Sequence, residues 1–172
     1  MARISTPKRG VATRSRATKS ISIASGPSLS NRSVGPGGPT DRFESDGPLA
    51  IEIDFVARER VATPLFGVEI RAIDGTLCYG TNTRRDTYPV ESVEGRGTAS
   101  FAIDRLPLHE GRFLLTVAVT SADESEVYHW IDRRFELSVF AKSGGVGLVR
   151  FDGRWSVSEE PSGARTRITV DG

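Results

Sequence analysis

From Leu49 onward, apolar and polar residues alternate with period two through run after run of the chain. Leu49, Ile51, Ile53 and Phe55 alternate with Ala50, Glu52, Asp54 and Val56, which places one row on a single face of a β-strand. Phe66, Val68 and Ile70 repeat the pattern against Glu69 and Arg71. Asp74-Gly75 follows, then Thr76 to Tyr79; both turn residues favour positive φ, so the spacing predicts a tight hairpin. Further strands are predicted at Ala99–Ile103, Phe113–Val119 and Phe135–Val139, about a dozen or more residues apart, as in a sandwich. Leu148 to Phe151, Arg154 to Val157 and Arg165 to Val170 are candidate closing strands, able to complete the sheets or exchange between subunits. Gly, Pro and β-branched residues interrupt every candidate helix longer than about two turns. The pattern therefore predicts an all-β chain of six to nine strands in two antiparallel sheets.

The first 44 residues read differently. They are rich in Ser, Thr, Gly, Pro and Arg, with Gly35-Pro36-Gly37-Gly38-Pro39, and hold too few large apolar groups to form a core. Residues 1–44 are thus expected to be a largely disordered leader, with an edge strand near 20–24 where Ile21 and Ile23 alternate. Residues 45–172 are expected to be the sandwich. At 172 residues the chain has room for one domain with a real core.

Charge changes the picture at one place. Six of the 23 Lys and Arg, and none of the 22 acidic residues, fall in the first 20 positions, although the formal net charge is only +1. Such a leader attracts phosphate polymers through charge alone, but its composition suits a linker, and no nucleic-acid partner is expected. Cys78 is the sole cysteine, which excludes an internal disulfide and makes the cytoplasm the expected compartment. No run approaches the ~20 apolar residues of a membrane-spanning helix, so no direct membrane insertion is expected.

Chemistry-bearing motifs are sparse. His109 and His129 lie outside any spaced ligand cluster, so neither a metal nor another cofactor is expected. No G-x-S-x-G elbow occurs, and Cys78 falls within a predicted strand. The acids Asp123, Glu124 and Glu126 crowd one turn, where solvation explains them better than glycoside cleavage does. Ser143 to Gly147 lacks the strand-to-helix setting of a nucleotide loop. The chain is not expected to be an enzyme.

Several motifs, in order, resemble the C-terminal carbohydrate-binding domain of Wzt-type ABC transporter subunits. They are Thr63-Pro64-Leu65-Phe66-Gly67-Val68, Asp74-Gly75 and Tyr79-Gly80-Thr81-Asn82-Thr83. Gly97 before Phe101, Leu106-Pro107-Leu108, Gly111-Arg112-Phe113, Phe135-x-Leu137-x-Val139, Gly147 and Trp155 follow. The resemblance spans about Ser45 to Val157. It implies an immunoglobulin-like sandwich that recognises a finished O-antigen-type polysaccharide in the cytoplasm, peripheral to the inner membrane through ABC transporter subunits, and that forms a homodimer. The edge strand Ile168 to Val170 offers backbone groups for such pairing. The chain lacks a G-x-x-x-x-G-K-[ST] phosphate loop. It is therefore either a fragment of a longer transporter subunit or a free-standing relative that acts on a glycan without the motor, with Met1 and the basic leader pointing to the second. An interaction or dimerisation domain docking to a transporter, without its own glycan site, is the alternative.

A glycan site needs aromatic faces for sugar C–H surfaces and polar groups for hydroxyls. Tyr79, Asn82, Thr83, Arg84 and Tyr88, in one loop or sheet rim, supply that mixture, and Arg84 or Arg85 suits an anionic group. In Tyr128-His129-Trp130-Ile131-Asp132, alternation puts Tyr128, Trp130 and Asp132 on one face and His129 on the other. Trp130 completes the candidate set, its alternative role being an inter-sheet anchor.

Overall fold

Strands form where the alternation predicts them, and their apolar rows face one another across two sheets. The computed structural model describes residues 21–23, 28–30, 41–141 and 145–157. Nine strands are found among them: β1 (Ile21–Ile23), β2 (Ser28–Ser30), β3 (Arg42–Glu44), β4 (Leu49–Ala62), β5 (Leu65–Ala72), β6 (Leu77–Asn82), β7 (Ser92–Ile103), β8 (Gly111–Thr120) and β9 (Val127–Phe140). In the first sheet β4 pairs with β7 along one edge, while β1 and β2 lie end to end along the other, opposite Phe55–Ala57 and Ala50–Glu52. The second sheet has the order β3-β9-β8-β5-β6, antiparallel except for β3 beside β9. This is an all-β, immunoglobulin-like sandwich. Three of its strands come from the segment preceding residue 45. The rest of the basic leader and the candidate strand Arg165 to Val170 lie outside the described residues.

The core is the set of inward rows. Ile51, Ile53 and Phe55 of β4 meet Phe66, Val68 and Ile70 of β5 and Phe113, Leu115 and Val117 of β8, all buried. Ile21 and Ile23 extend the row at the β1 edge, Phe43 does so at β3, and Leu106 and Leu108 close one end. Each side chain so buried contributes roughly 1.5–3 kcal/mol.

The structure departs from the simple pattern where a strand is longer or bent. β7 begins seven residues before Ala99, with a glycine at each of two points that other residues would not tolerate. Gly95 takes φ +76° near the register shift of β4, and a Cβ at Gly97 would stand 2.5 Å from Phe55 Cζ. The Asp-Gly hairpin also differs. Only Gly75 takes positive φ (93°), its N–H bonding the Ala72 carbonyl at 2.8 Å. The turn is thus a three-residue loop closed by glycine rather than a two-residue one.

The Tyr128 to Asp132 segment and the Phe135 run form one strand, β9, with two irregularities. At the first, Thr120 pairs with Val127 and Val119 with His129, so Tyr128 is the extra residue. It packs against the core instead of sharing a face with Trp130 and Asp132. At the second, Arg133 adopts φ 46°. The buried Thr116 hydroxyl stitches that bulge: it accepts from Arg133 N–H (2.9 Å) and donates to Asp132 Oδ1 (3.1 Å).

Beyond β9 the chain continues as an arm without regular strands at Arg154 to Val157. Leu108 forms an isolated bridge with Val149, and Arg105 joins Asp46 (2.7 Å) and Asp152 (3.0 Å). The Arg105 hydrogen bond holds the Asp46 carboxyl below the usual range. Phe151 (86% exposed), within the clamped stretch, and Trp155 (97%), beyond it, stand in solvent.

His129 faces inward and accepts the Ile23 N–H through Nδ1 at 2.7 Å, tying β1 to the opposite sheet. Burial pushes its pKa below the ordinary 6.5. Only the unprotonated Nδ1 can accept, so the folded state binds this proton less readily than the unfolded chain. The stabilisation is complete above pH 6.5 and is lost as pH falls through the lower folded value. Urea midpoints of the wild type are expected to drop between pH 7.5 and 5.5 more steeply than those of His129→Gln; parallel slopes would contradict this.

Candidate functional site

The outer face of the second sheet carries a shallow depression because its middle is built from small residues. Gly67, Gly80 and Ala118 leave space that larger side chains would fill, and Trp130, paired opposite Ala118, stands 51% exposed at its side. The depression holds about 390 Å³, with Asn82, Arg85, Glu69 and Glu124 also lining it. The outward side chain of Trp130 is not an inter-sheet anchor.

Two loops form the rim at this end of the sheet. In the loop after β6, Asn82 Oδ1 accepts from Arg85 N–H (2.9 Å), and Thr83 pairs with Phe66 through both its backbone and its hydroxyl. These bonds fold the loop back onto the end of the strand. In the loop between β8 and β9, Asp123 Oδ1 accepts from the Ser121 hydroxyl and from the Ser125 hydroxyl and N–H. Those bonds, the Ser121 hydroxyl first, hold the Asp123 carboxyl down to about 2. The next residue, Glu124, takes φ 60°, which turns its carboxylate toward the first loop. There it pairs with the Arg84 guanidinium and accepts from Asn82 Nδ2 at 3.4 Å. Arg84 also donates to the Ala122 carbonyl. The rim is therefore one cross-linked unit.

A second cleft, of about 630 Å³, opens between the sheets on the side where β6 and β7 form the edges. Its floor is apolar, with Phe55, Phe66 and Val68, and Thr83, Asp86 and Tyr88 (69% exposed) line it as well. Tyr79, 43% exposed, stacks on Phe101 across the gap, with ring centroids 6.1 Å apart. Asn82 lines both hollows. Of the residues singled out from the sequence, then, Asn82 and Trp130 meet at the depression, Thr83 and Tyr88 line the cleft, and Tyr79 flanks it. Arg84 is engaged by Glu124. Pattern reading missed Gly67, Gly80 and Ala118, whose signal is small size at outward strand positions. It also set aside Glu124, which its acidic neighbours made look merely solvated.

Asp123 is fixed as a turn cap and Glu124 is paired with Arg84, so both acids are engaged in holding the rim. Burial pushes the Cys78 thiol up. No group of three His, Cys, Asp or Glu suited to a metal occurs among the described residues. No helix long and apolar enough to cross a membrane occurs among the described residues.

If the rim is cross-linked as described, Arg84→Ala will release the two loops while leaving the core intact. Unfolding free energy is expected to change by no more than about 1 kcal/mol, as for other exposed ion pairs. Amide exchange at Glu124 and Glu126 is expected to speed up; unchanged protection there would show that the loops hold independently.

The model of the Wzt C-terminal domain family matches residues 33–151. A crystal structure of the C-terminal domain of Wzt aligns with a TM-score of 0.64 at 15% identity, covering 83% of this chain and 90% of that one; at that identity the likeness concerns the fold. An immunoglobulin-like protein from Pseudomonas aeruginosa aligns with a TM-score of 0.38 at 13% identity, over 72% of this chain and 97% of that one. A CARDB domain from Pyrococcus furiosus gives 0.39 at 10% identity, over 75% and 100%. No curated protein matches the chain.

Proposed function

The chain belongs to the Wzt C-terminal domain family, and from that premise we propose that it is a non-catalytic module binding a bacterial surface polysaccharide of O-antigen type. The observation that carries the reading is the half-exposed Trp130 indole beside a floor of small residues, with the Asn82 amide on the same rim. An open, shallow hollow with one aromatic wall suits a sugar ring, whose C–H face packs on the indole while its hydroxyls take amide and carboxylate partners. Arg84 and Thr83 hold the rim in place. Tyr79 and Tyr88 lie beyond Asn82 at the neighbouring cleft, where a longer chain continues past the end of β6. Bound glycan would be handed to ABC transporter subunits at the cytoplasmic face of the inner membrane.

The test is a titration of the full chain with surface polysaccharide extracted from the source bacterium, against unrelated glycans, in a Trp155→Phe background so that emission reports Trp130 alone. Saturable, selective quenching is expected, with Trp130→Ala weakening binding about tenfold by calorimetry. Absence of binding to any glycan would overturn the reading.

A docking or dimerisation role rests on a separate observation, the apolar side chains of Phe151, Trp155 and Val157 presented on the arm. Exposed groups of this kind mark interaction surfaces, and a second copy of the chain is the proposed occupant. Sedimentation is expected to show a homodimer that Trp155→Asp dissociates; a monomer at all concentrations would remove this role.

A further inference from the structure

We infer that the Trp130 depression selects polysaccharides whose sugars carry a negatively charged substituent, and that Arg85 receives it; this rests on the depression being the glycan site. Three charged side chains line the hollow: Glu69, Glu124 and Arg85. Both carboxylates already face a guanidinium from outside it, Glu69 that of Arg71 at 2.5 Å and Glu124 that of Arg84. Arg85 is exposed and makes no ion pair among the described residues. Its neighbour Asp86 does not neutralise the hollow either, since it lines the inter-sheet cleft and accepts the Thr81 hydroxyl at 2.8 Å. With each acid matched, the depression carries one uncompensated positive charge beside its aromatic wall.

The backbone prepares that charge for use. The Arg85 N–H is held on Asn82 Oδ1 at 2.9 Å, so the Cα is anchored while the guanidinium keeps its donors. A planar guanidinium fork matches the two terminal oxygens of a carboxylate or phosphate better than it matches isolated hydroxyls. Arg84, next in the chain, serves differently, because its charge is already matched by Glu124 and both terminal nitrogens of its guanidinium are engaged, one by Glu124 and one by the Ala122 carbonyl. One arginine of the pair builds the rim and the other faces the ligand.

The experiment uses the full chain and the polysaccharide extracted from the source bacterium in three forms: native, carboxyl-reduced and dephosphorylated. Binding is followed through Trp130 emission and calorimetry. The native form is expected to bind, and one of the two treatments to abolish most of that binding, which identifies whether the oxyanion is a sugar carboxylate or a phosphate. Arg85→Gln is expected to weaken binding roughly fivefold to tenfold and to flatten its dependence on salt between about 50 and 300 mM, with Arg85→Lys recovering the salt dependence but only part of the affinity. Unfolding midpoints of both variants should match the wild type. Equal affinity for all three forms, or an Arg85→Gln variant indistinguishable from wild type, would overturn the inference while leaving the glycan site standing. Loss of native binding in Trp130→Ala but not in Arg85→Gln would do the same. Failure of every form to bind would instead remove the glycan reading itself.

Discussion

The sandwich depends on a constraint of period two: every second side chain of β4, β5 and β8 must lie in the gap between the sheets. Ile51, Ile53, Phe66, Val68, Leu115 and Val117 meet it and are almost fully enclosed. A shift of one residue in any of these strands would turn the whole apolar row to solvent. Register is therefore fixed by burial, and the outward positions are free to carry other chemistry. Where the period is broken, the break is held by a specific bond, as the Thr116 hydroxyl holds the Arg133 bulge.

The candidate site draws on this freedom in two ways. Outward positions 67, 80 and 118 hold only glycine or alanine, so the sheet itself makes the floor. The rim comes from turns whose conformations few side chains favour, with Glu124 and Thr87 both at positive φ. Residues held in such conformations need surrounding bonds to keep them there, and the Arg84, Asn82 and Glu124 contacts supply them. Rigid floor and cross-linked rim together give a hollow whose shape is set before anything enters it.

Much of the fold could be read from the amino-acid pattern because burial imposes the same period that the eye detects. Leu49 to Phe55, Phe66 to Ile70 and Phe113 to Val119 are inward rows as their alternation predicts, and Ile21 and Ile23 do form an edge strand. The pattern failed where one extra residue changes direction: Tyr128 joins the core only because β9 bulges beside it. It also left the length of β7 unread, since Gly95 and Gly97 look like turn residues until Gly95 is seen at positive φ within the strand and Phe55 is seen to need the space at Gly97. For the site, Asn82 and Trp130 stood out by residue type. The roles of Arg84 and Arg85 were indistinguishable in the sequence, because Glu124, some forty residues away, decides which one is engaged. Small outward residues carry no chemical signature until the sheet is assembled.

The latch between Ile23 and His129 also sets an order of events during synthesis. The two partners are separated by 106 positions, so β1 leaves the ribosome long before the imidazole that will accept its N–H exists. The strand it must pair with, β4, follows sooner, yet the inner surface that shields Ile21 and Ile23 is complete only when β9 has been made. Through most of translation the nascent chain therefore carries a short apolar strand with an unsatisfied edge, a feature open to pairing with neighbouring chains. Closure of the N-terminal edge is thus a late, whole-domain event, and slow translation of the β8–β9 region would lengthen the interval in which that edge stands open.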